Sequence, residues 1–432
     1  MRFIFSFLIV FAVGSPLWSQ QKPSPYDPAV PREILRNAYD AVKKNYYDPK
    51  YHGLDWDAHF HEYEDKIKSA GSLNQSLTMV ASFLVDLNDS HTYFRPPARP
   101  YKFDYGYRMQ VFGDNVFITR TRPGTDAEGK VHAGDEVVSV NGIGINRINF
   151  HNFSYFLNTL SPQVGTQFVL RDPAGQERQV QVNTKMEARP PVMDLTQEID
   201  LYKLVREEQN GDHVVRQRYY EIGDAMIWKA PEFFLDDSEV NRLFGIARKH
   251  KSLILDLRGD PGGLTVTLEH MLGNVFDHDV KISDRLGKKE TKPQVAKTVG
   301  KNTFSGQIFV LVDSQSASAA ELFARVIQLE HRGTVIGDRT SGSVMEAKGY
   351  SYSQGMETKI FYSFSVTDAD LVMADGKSLE HTGVTPDEIV LPTAQDLASG
   401  QDPVLARAGA LAGITLGPAE AGKLFPFEWV PF

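Results

Sequence analysis

Cysteine is absent from all 432 residues. That excludes a thiol nucleophile, structural disulfides, cysteine-ligated metal and a lipoprotein attachment site. Positive charge is also in short supply. Lys and Arg number 46 against 55 Asp and Glu, a net charge of −9, and no basic cluster reverses the balance. This composition argues against nucleic acid as a partner. The apolar stretch at 3–13 is too short to span a bilayer as a permanent helix. It follows Arg2 and is broken by Gly14-Ser15-Pro16. The pattern reads as an export signal over 1–20 with a cleavage edge at Ser19 or Gln20. A periplasmic or secreted protein with no stable membrane span after signal cleavage is expected. What the chain does have is an ordinary 41% of hydrophobic residues, enough for two or three domains.

Three regions follow a polar linker at 21–28. From 27 to 98, apolar residues fall at three- and four-residue spacings (Ile34, Leu35, Ala38, Ala41, Val42, then Leu77, Val80, Phe83, Leu84, Leu87). This predicts a small N-terminal helical bundle. From 101 to 186 the pattern is β-rich, with strands at 115–121 and 136–140, a hairpin signal at Asn141-Gly142, a helix at 153–160 and strands at 168–171 and 179–183. The run from Lys130 to Gly142, with Gly134-Asp135-Glu136 at its centre, resembles the core motif of a PDZ domain, a fold that binds peptide ends by strand addition. After a linker with Pro190-Pro191, strands at 225–229, 253–257, 308–312 and 335–337 alternate with helices at 240–249, 264–276 and 319–329. The alternation predicts an α/β core over 195–415, with ligands at the carboxyl ends of its strands. The fold class is therefore multidomain α+β.

Four segments carry candidate chemistry. In Ile308 to Glu321 a buried strand ends in small residues and becomes a helix. A serine at such a junction lies at a helix N-terminus, where free N–H groups can stabilise an oxyanion. Ser314, Ser316 and Ser318 read equally well as helix caps at this point. In Leu253 to Leu264 a strand runs into Arg258-Gly259-Asp260-Pro261-Gly262-Gly263, whose glycines let backbone N–H groups approach a ligand. No Lys-Ser/Thr pair follows, which argues against a phosphate loop. Asp89-Ser90-His91 places a histidine just beyond a helix, and Ser378 to Asp387 carries Glu380.

Together these segments resemble the C-terminal processing peptidase and tricorn family of serine peptidases, over nearly the whole chain. The resemblance implies Ser318 as nucleophile. In the Ser-Lys branch of that family a lysine follows downstream; here the position holds Ser343, and the nearest later lysine is Lys348. The tricorn-like branch pairs the nucleophile with a Ser-His dipeptide and a glutamate, which Ser90, His91 and Glu380 match. The site expected from the resemblance is Ser318, His91 and Glu380 assisted by Ser90. Backbone N–H groups of Ala319 and of Gly262 or Gly263 would form the oxyanion hole. A hydroxyl is a poor nucleophile until a base takes its proton, and a neutral imidazole serves this purpose. With an ordinary histidine, the rate should fall as pH drops through about 6 to 7. No metal or cofactor is required, and His59, His61 and Glu62 form a poor ligand set. Peptides or unfolded proteins are the expected substrates. Two alternatives remain: a catalytically inactive peptide- or ligand-binding protein on the same scaffold, and an enzyme using Lys348 as base.

Overall fold

The computed structural model describes residues 29–188, 212–288, 291–354 and 360–431. The expected export signal, the linker at 21–28 and Pro190-Pro191 lie outside the described residues. Three helices open the described chain: α1 (Ala29–Asn45), α2 (Trp56–Lys68) and α3 (Leu73–Val85). Asp55 and Ser72 begin the second and third by accepting the N–H groups of Ala58 and Gln75. Such caps satisfy donors that the helix itself leaves open. The apolar stripes of the three helices meet at Ile34, Val42, Trp56, Phe60 and Phe83.

These helices do not close a core by themselves. Phe94 of β1 (Tyr93–Arg95) and three residues from much later in the chain, Tyr362, Phe364 and Val366, complete it. The helical region is thus sealed by a sheet strand rather than forming a separate bundle.

The next region carries β2 (Tyr101–Asp104), β3 (Tyr107–Phe112), β4 (Asn115–Thr121), β5 (Glu136–Val140), β6 (Ile143–Gly144), helix α4 (Arg147–Tyr155), β7 (Gly165–Arg171), β8 (Glu177–Asn183) and β9 (Lys185–Ala188). Strands β3-β4-β5-β7-β8 form an antiparallel sheet around its own core of Val116, Ile118, Val140 and Phe168, and β2 pairs with β9 at the entry and exit of the region. Helix α4 begins earlier than the apolar pattern suggests, because Asn146 caps it by accepting the N–H groups of Ile148 and Asn149. Residues Phe156–Leu160 continue it as a wider π turn.

The remaining chain builds two sheets. One contains β10 (Arg218–Ile222), β11 (Ala225–Lys229), β12 (Ser252–Asp256), β15 (Gln307–Val312), β16 (Thr334–Gly337) and β19 (Glu388–Ile389), in the order β10-β11-β12-β15-β16-β19. All neighbours from β11 onward are parallel. Helices α5 (Asp237–Ala247), α6 (Thr265–Gly273) and α7 (Ala319–Leu329) cover one face. Residues Val404, Leu405 and Ala408, on a later helix, cover the other. Cover on both faces explains why every residue of β12 is buried.

The second sheet is antiparallel: β1-β18-β13-β14 with β17 on β18, using β13 (Val280–Gly287), β14 (Thr291–Ala296), β17 (Met345–Gln354) and β18 (Ile360–Met373). The expected strand–helix alternation omitted these hairpins. Strands β14 and β17 are polar and largely outside the core, so their composition reads locally as loop. At the carboxyl edge of the parallel sheet, β12 and β15 lie side by side, with Asp256 opposite Leu311, and each turns there into a candidate loop.

Candidate active site

Ser318 sits between β15 and α7 with φ 52° and ψ −116°. A non-glycine residue in such a region costs about 1–3 kcal/mol, and the surroundings must impose it. Here the Ser318 N–H donates to the Ser343 carbonyl (2.9 Å) and to Glu321 Oε2 (3.1 Å). The serines separate by role. Ser314 Oγ donates to the Val111 carbonyl (2.6 Å). Ser316 is fully buried, donating to the Leu257 carbonyl (2.8 Å) and accepting the Asp313 N–H (2.9 Å). The Ser318 side chain makes no cap bond, and among the described residues its hydroxyl has no hydrogen-bond partner. The capping contact at this end is made by the Glu321 carboxylate.

Gly262 lies against the nucleophile turn. A Cβ on it would stand 2.8 Å from Ser318 Cβ and from the Ala317 carbonyl, and 2.9 Å from the Ala319 nitrogen, at φ +95°. Gly263, at φ +154°, is equally closed, since a Cβ there would meet the Phe233 carbonyl at 2.4 Å. The Gly262 N–H donates to Asp260 Oδ1 (2.7 Å). Among the described residues, Gly263 is therefore the glycine of this pair whose amide is not already engaged. Ala319, as the first residue of α7, has no intrahelical acceptor for its N–H. Asp260 is itself fully buried. Burial, with Glu232 and Asp313 adding to it, pushes its carboxyl well above the usual range, against the opposing pull of the Gly262 amide and Lys229.

The second half of the site is assembled across the sequence. Asp89 Oδ1 accepts the N–H groups of His91 (2.9 Å) and Thr92 (2.6 Å) and the hydroxyl of Thr367 on β18 (2.6 Å). This fixes the turn that presents Ser90 and His91. Ser90 Oγ lies 2.7 Å from His91 Nδ1 and donates to Glu380 Oε2 at 2.9 Å. Glu380 Oε1 accepts the Ser90 N–H (2.7 Å), and Oε2 also accepts the Val344 N–H (2.8 Å). A hydroxyl has one proton to give. With that proton on Glu380, the contact to His91 requires Nδ1–H as donor, which leaves Nε2 with the lone pair. Burial lowers the His91 imidazole to about 4; Asp89 opposes the shift and His151 adds to it. Burial raises the Glu380 carboxyl, while the amides of Val344 and Ser90 and the Ser90 hydroxyl pull it back.

The two halves meet through residues 343 and 344. Ser318 donates to the Ser343 carbonyl, and the next residue, Val344, donates to Glu380. The structure thus joins Ser90, His91 and Glu380 directly and links Ser318 to them through this segment. Neither His91 nor Lys348 hydrogen-bonds Ser318. Lys348 instead pairs with Asp368 Oδ2 at 2.7 Å with 63% of its side chain exposed, and that bond raises its pKa. Held as an ammonium beside Asp368, Lys348 is not placed to act as a general base for Ser318. Ser343 occupies the dyad-lysine position, and its hydroxyl meets that of Ser341 (2.8 Å). Sequence reasoning passed over Glu321, Asp260 and Asp89. Glu321 had a readable signal, since Ser followed three residues later by Glu is a capping-box pattern.

The chain is similar in sequence and fold to several known proteins. Residues 229–390 match the model of Peptidase family S41, and residues 27–74 match that of the Tricorn protease C1 domain. Putative tricorn protease homolog 2 of Streptomyces coelicolor is 23% identical over 415 residues, covering 88% of this chain and 32% of its own. The tail-specific protease of Haemophilus influenzae is 22% identical over 320 residues, covering 69% of this chain and 43% of its own. The chain therefore spans less than half the length of these relatives. Among solved structures, mature CPAF superimposes with a TM-score of 0.64 at 16% identity, covering 86% of this chain and 94% of that one. The photosystem II D1 C-terminal processing protease gives 0.53 at 18% identity, covering 91% and 99%. These likenesses establish a shared mixed α/β multidomain fold. The family models thus match both the helical start and the α/β core, and in these regions the chain is similar to the serine peptidases of family S41, of tricorn and C-terminal processing type.

Proposed function

We propose that this protein is an exported serine endopeptidase that hydrolyses peptide bonds in peptides or unfolded proteins through a Ser-His-Glu type site. The observation that carries the reading is the hydrogen-bonded series from His91 Nδ1 through Ser90 Oγ to Glu380. It leaves Nε2 as the proton acceptor. In the reaction, His91 Nε2 takes the Ser318 proton as Oγ attacks the scissile carbonyl, then gives it to the leaving amine. Glu380, acting through Ser90, keeps Nδ1 protonated and stabilises the imidazolium. The N–H groups of Ala319 and Gly263 receive the tetrahedral oxyanion. Water repeats the cycle on the acyl-enzyme. In a free enzyme the nucleophile–base contact is often long and tightens on substrate binding. The region over 101–186 is read as a PDZ-like module that holds substrate chain ends, between a helical region over 27–98 and a peptidase core over 195–415.

The unbonded Ser318 hydroxyl favours one second reading, a catalytically inactive peptide-binding protein on the same scaffold. Hydrolysis of an unfolded protein reporter and labelling of Ser318 by a fluorophosphonate separate the two. Hydrolysis by the wild type, lost by several orders of magnitude in a folded Ser318→Ala variant, is expected. Absence of both hydrolysis and labelling in the wild type would establish the inactive reading.

A further inference from the structure

The proposed chemistry gives no role to the buried acid nearest the nucleophile in sequence. Glu321, in the first turn of α7, is fully buried. Its Oε1 accepts the Thr340 hydroxyl (2.5 Å) and the Gly342 N–H (2.8 Å). Its Oε2 accepts the N–H groups of Ser318 (3.1 Å) and Ser343 (3.0 Å). A helix-capping glutamate needs only the first-turn partner. The other three donors come from a loop about one helix and one strand later in the chain. That loop also supplies the Ser343 carbonyl to Ser318 and the Val344 N–H to Glu380.

We propose that Glu321 is a positioning residue: its ionised carboxylate holds Ser318 in its strained backbone conformation and holds the 340–343 turn so that Val344 reaches Glu380. It thereby ties the nucleophile to the group that orients the base. The inference rests on the reading of Ser318 as nucleophile. Two carboxylate oxygens offer about four acceptor sites, and here four donors use them. Protonation places an O–H against one of those donors. A glutamine keeps one oxygen and turns its NH₂ toward the other pair of donors. Neither substitute reproduces the arrangement. The groups facing Glu321, the Thr340 hydroxyl and the amides of Gly342, Ser343 and Ser318, carry no charge. Burial against them pushes the carboxyl up to about 7, with all four pulling it back. Glu321 therefore changes charge in a range where His91 is still neutral.

The test is steady-state hydrolysis of a short peptide reporter from about pH 5 to 8.5 by wild type, Glu321→Gln and Thr340→Val, with fluorophosphonate labelling of Ser318 and circular dichroism of each. Wild-type kcat should fall below about pH 7 while KM changes little. Glu321→Gln should lower kcat at least ~10-fold at the alkaline end, keep KM within ~2-fold, and abolish the inflection near 7. Thr340→Val removes one donor to the carboxylate, so its inflection should move to higher pH. Wild-type kcat and an unchanged inflection in Glu321→Gln overturn the proposal. If that variant does not fold, an unshifted inflection in Thr340→Val does the same. A wild type that neither hydrolyses the reporter nor reacts with the fluorophosphonate overturns the peptidase reading itself, an outcome distinct from an active enzyme indifferent to Glu321.

Discussion

The His91 imidazole should titrate near pH 4 in the folded protein, far below an ordinary histidine. Ser318→Ala protein, which keeps the relay but cannot turn over, is the right material. Of the 12 histidines, His91 is identified by the resonance missing from a His91→Gln sample. Burial lowers the group from 6.5 to about 4. At pH 5.5 such a group is ~97% neutral, against ~9% for one left at 6.5. The same shift enters stability. The folded pKa is depressed, so the unfolded chain takes the proton first. Stability is then lost as pH falls from about 6.5 toward 4 and levels off below. At about 1.4 kcal/mol per pKa unit the loss approaches ~3 kcal/mol, an upper bound because the ring is partly solvated. Chemical denaturation of Ser318→Ala with and without His91→Gln, at several pH values, should show this slope only where His91 is present. With His91 near 4 and Glu321 near 7, an activity inflection near 7 belongs to the carboxyl and not to the imidazole. An ordinary histidine would instead place that inflection at about 6 to 7. A His91 midpoint near 6.5 by NMR would refute the burial argument and return the activity inflection to His91.

Two further perturbations separate the site from its surroundings. Lys348→Ala should leave kcat within ~2-fold and change stability by no more than about 1 kcal/mol, because an exposed pair with Asp368 is worth little; a large loss of activity in peptide hydrolysis would restore the lysine as a base. Arg147 of α4 pairs with the buried Asp338 at 2.5 Å, beside contacts of Gln110 with Asp313 and of Ser314 with Val111, so the antiparallel module props the loop that precedes the nucleophile. Arg147→Ala should destabilise by about 3 kcal/mol in denaturant titrations and reduce turnover of short and long substrates alike; loss confined to long substrates would instead favour a purely tethering module.

The sequence by itself determined the elements whose signals are local. The strand-to-helix change at Ser318 was legible because apolar residues shift period there, and α7 runs over the expected 319–329. The Gly262-Gly263 turn and the Asn141-Gly142 hairpin were legible because few residues adopt such backbone angles. The resemblance to known peptidases supplied Ser90, His91 and Glu380 as candidates. Only the tertiary structure decided how they meet. Ser90 and Glu380 are 290 positions apart, and no periodicity encodes their contact. It arises because β1 pairs with β18, whose neighbours in the chain carry the loops of Val344 and Glu380. The same long-range packing closed the helical core with Phe364, engaged the Gly262 amide with Asp260 and drew Lys348 to Asp368. It also set the charges of the site. A pKa reports burial and neighbours, and for His91 and Glu321 both come from segments distant in sequence or from the fold's exclusion of water, which residue type alone does not specify.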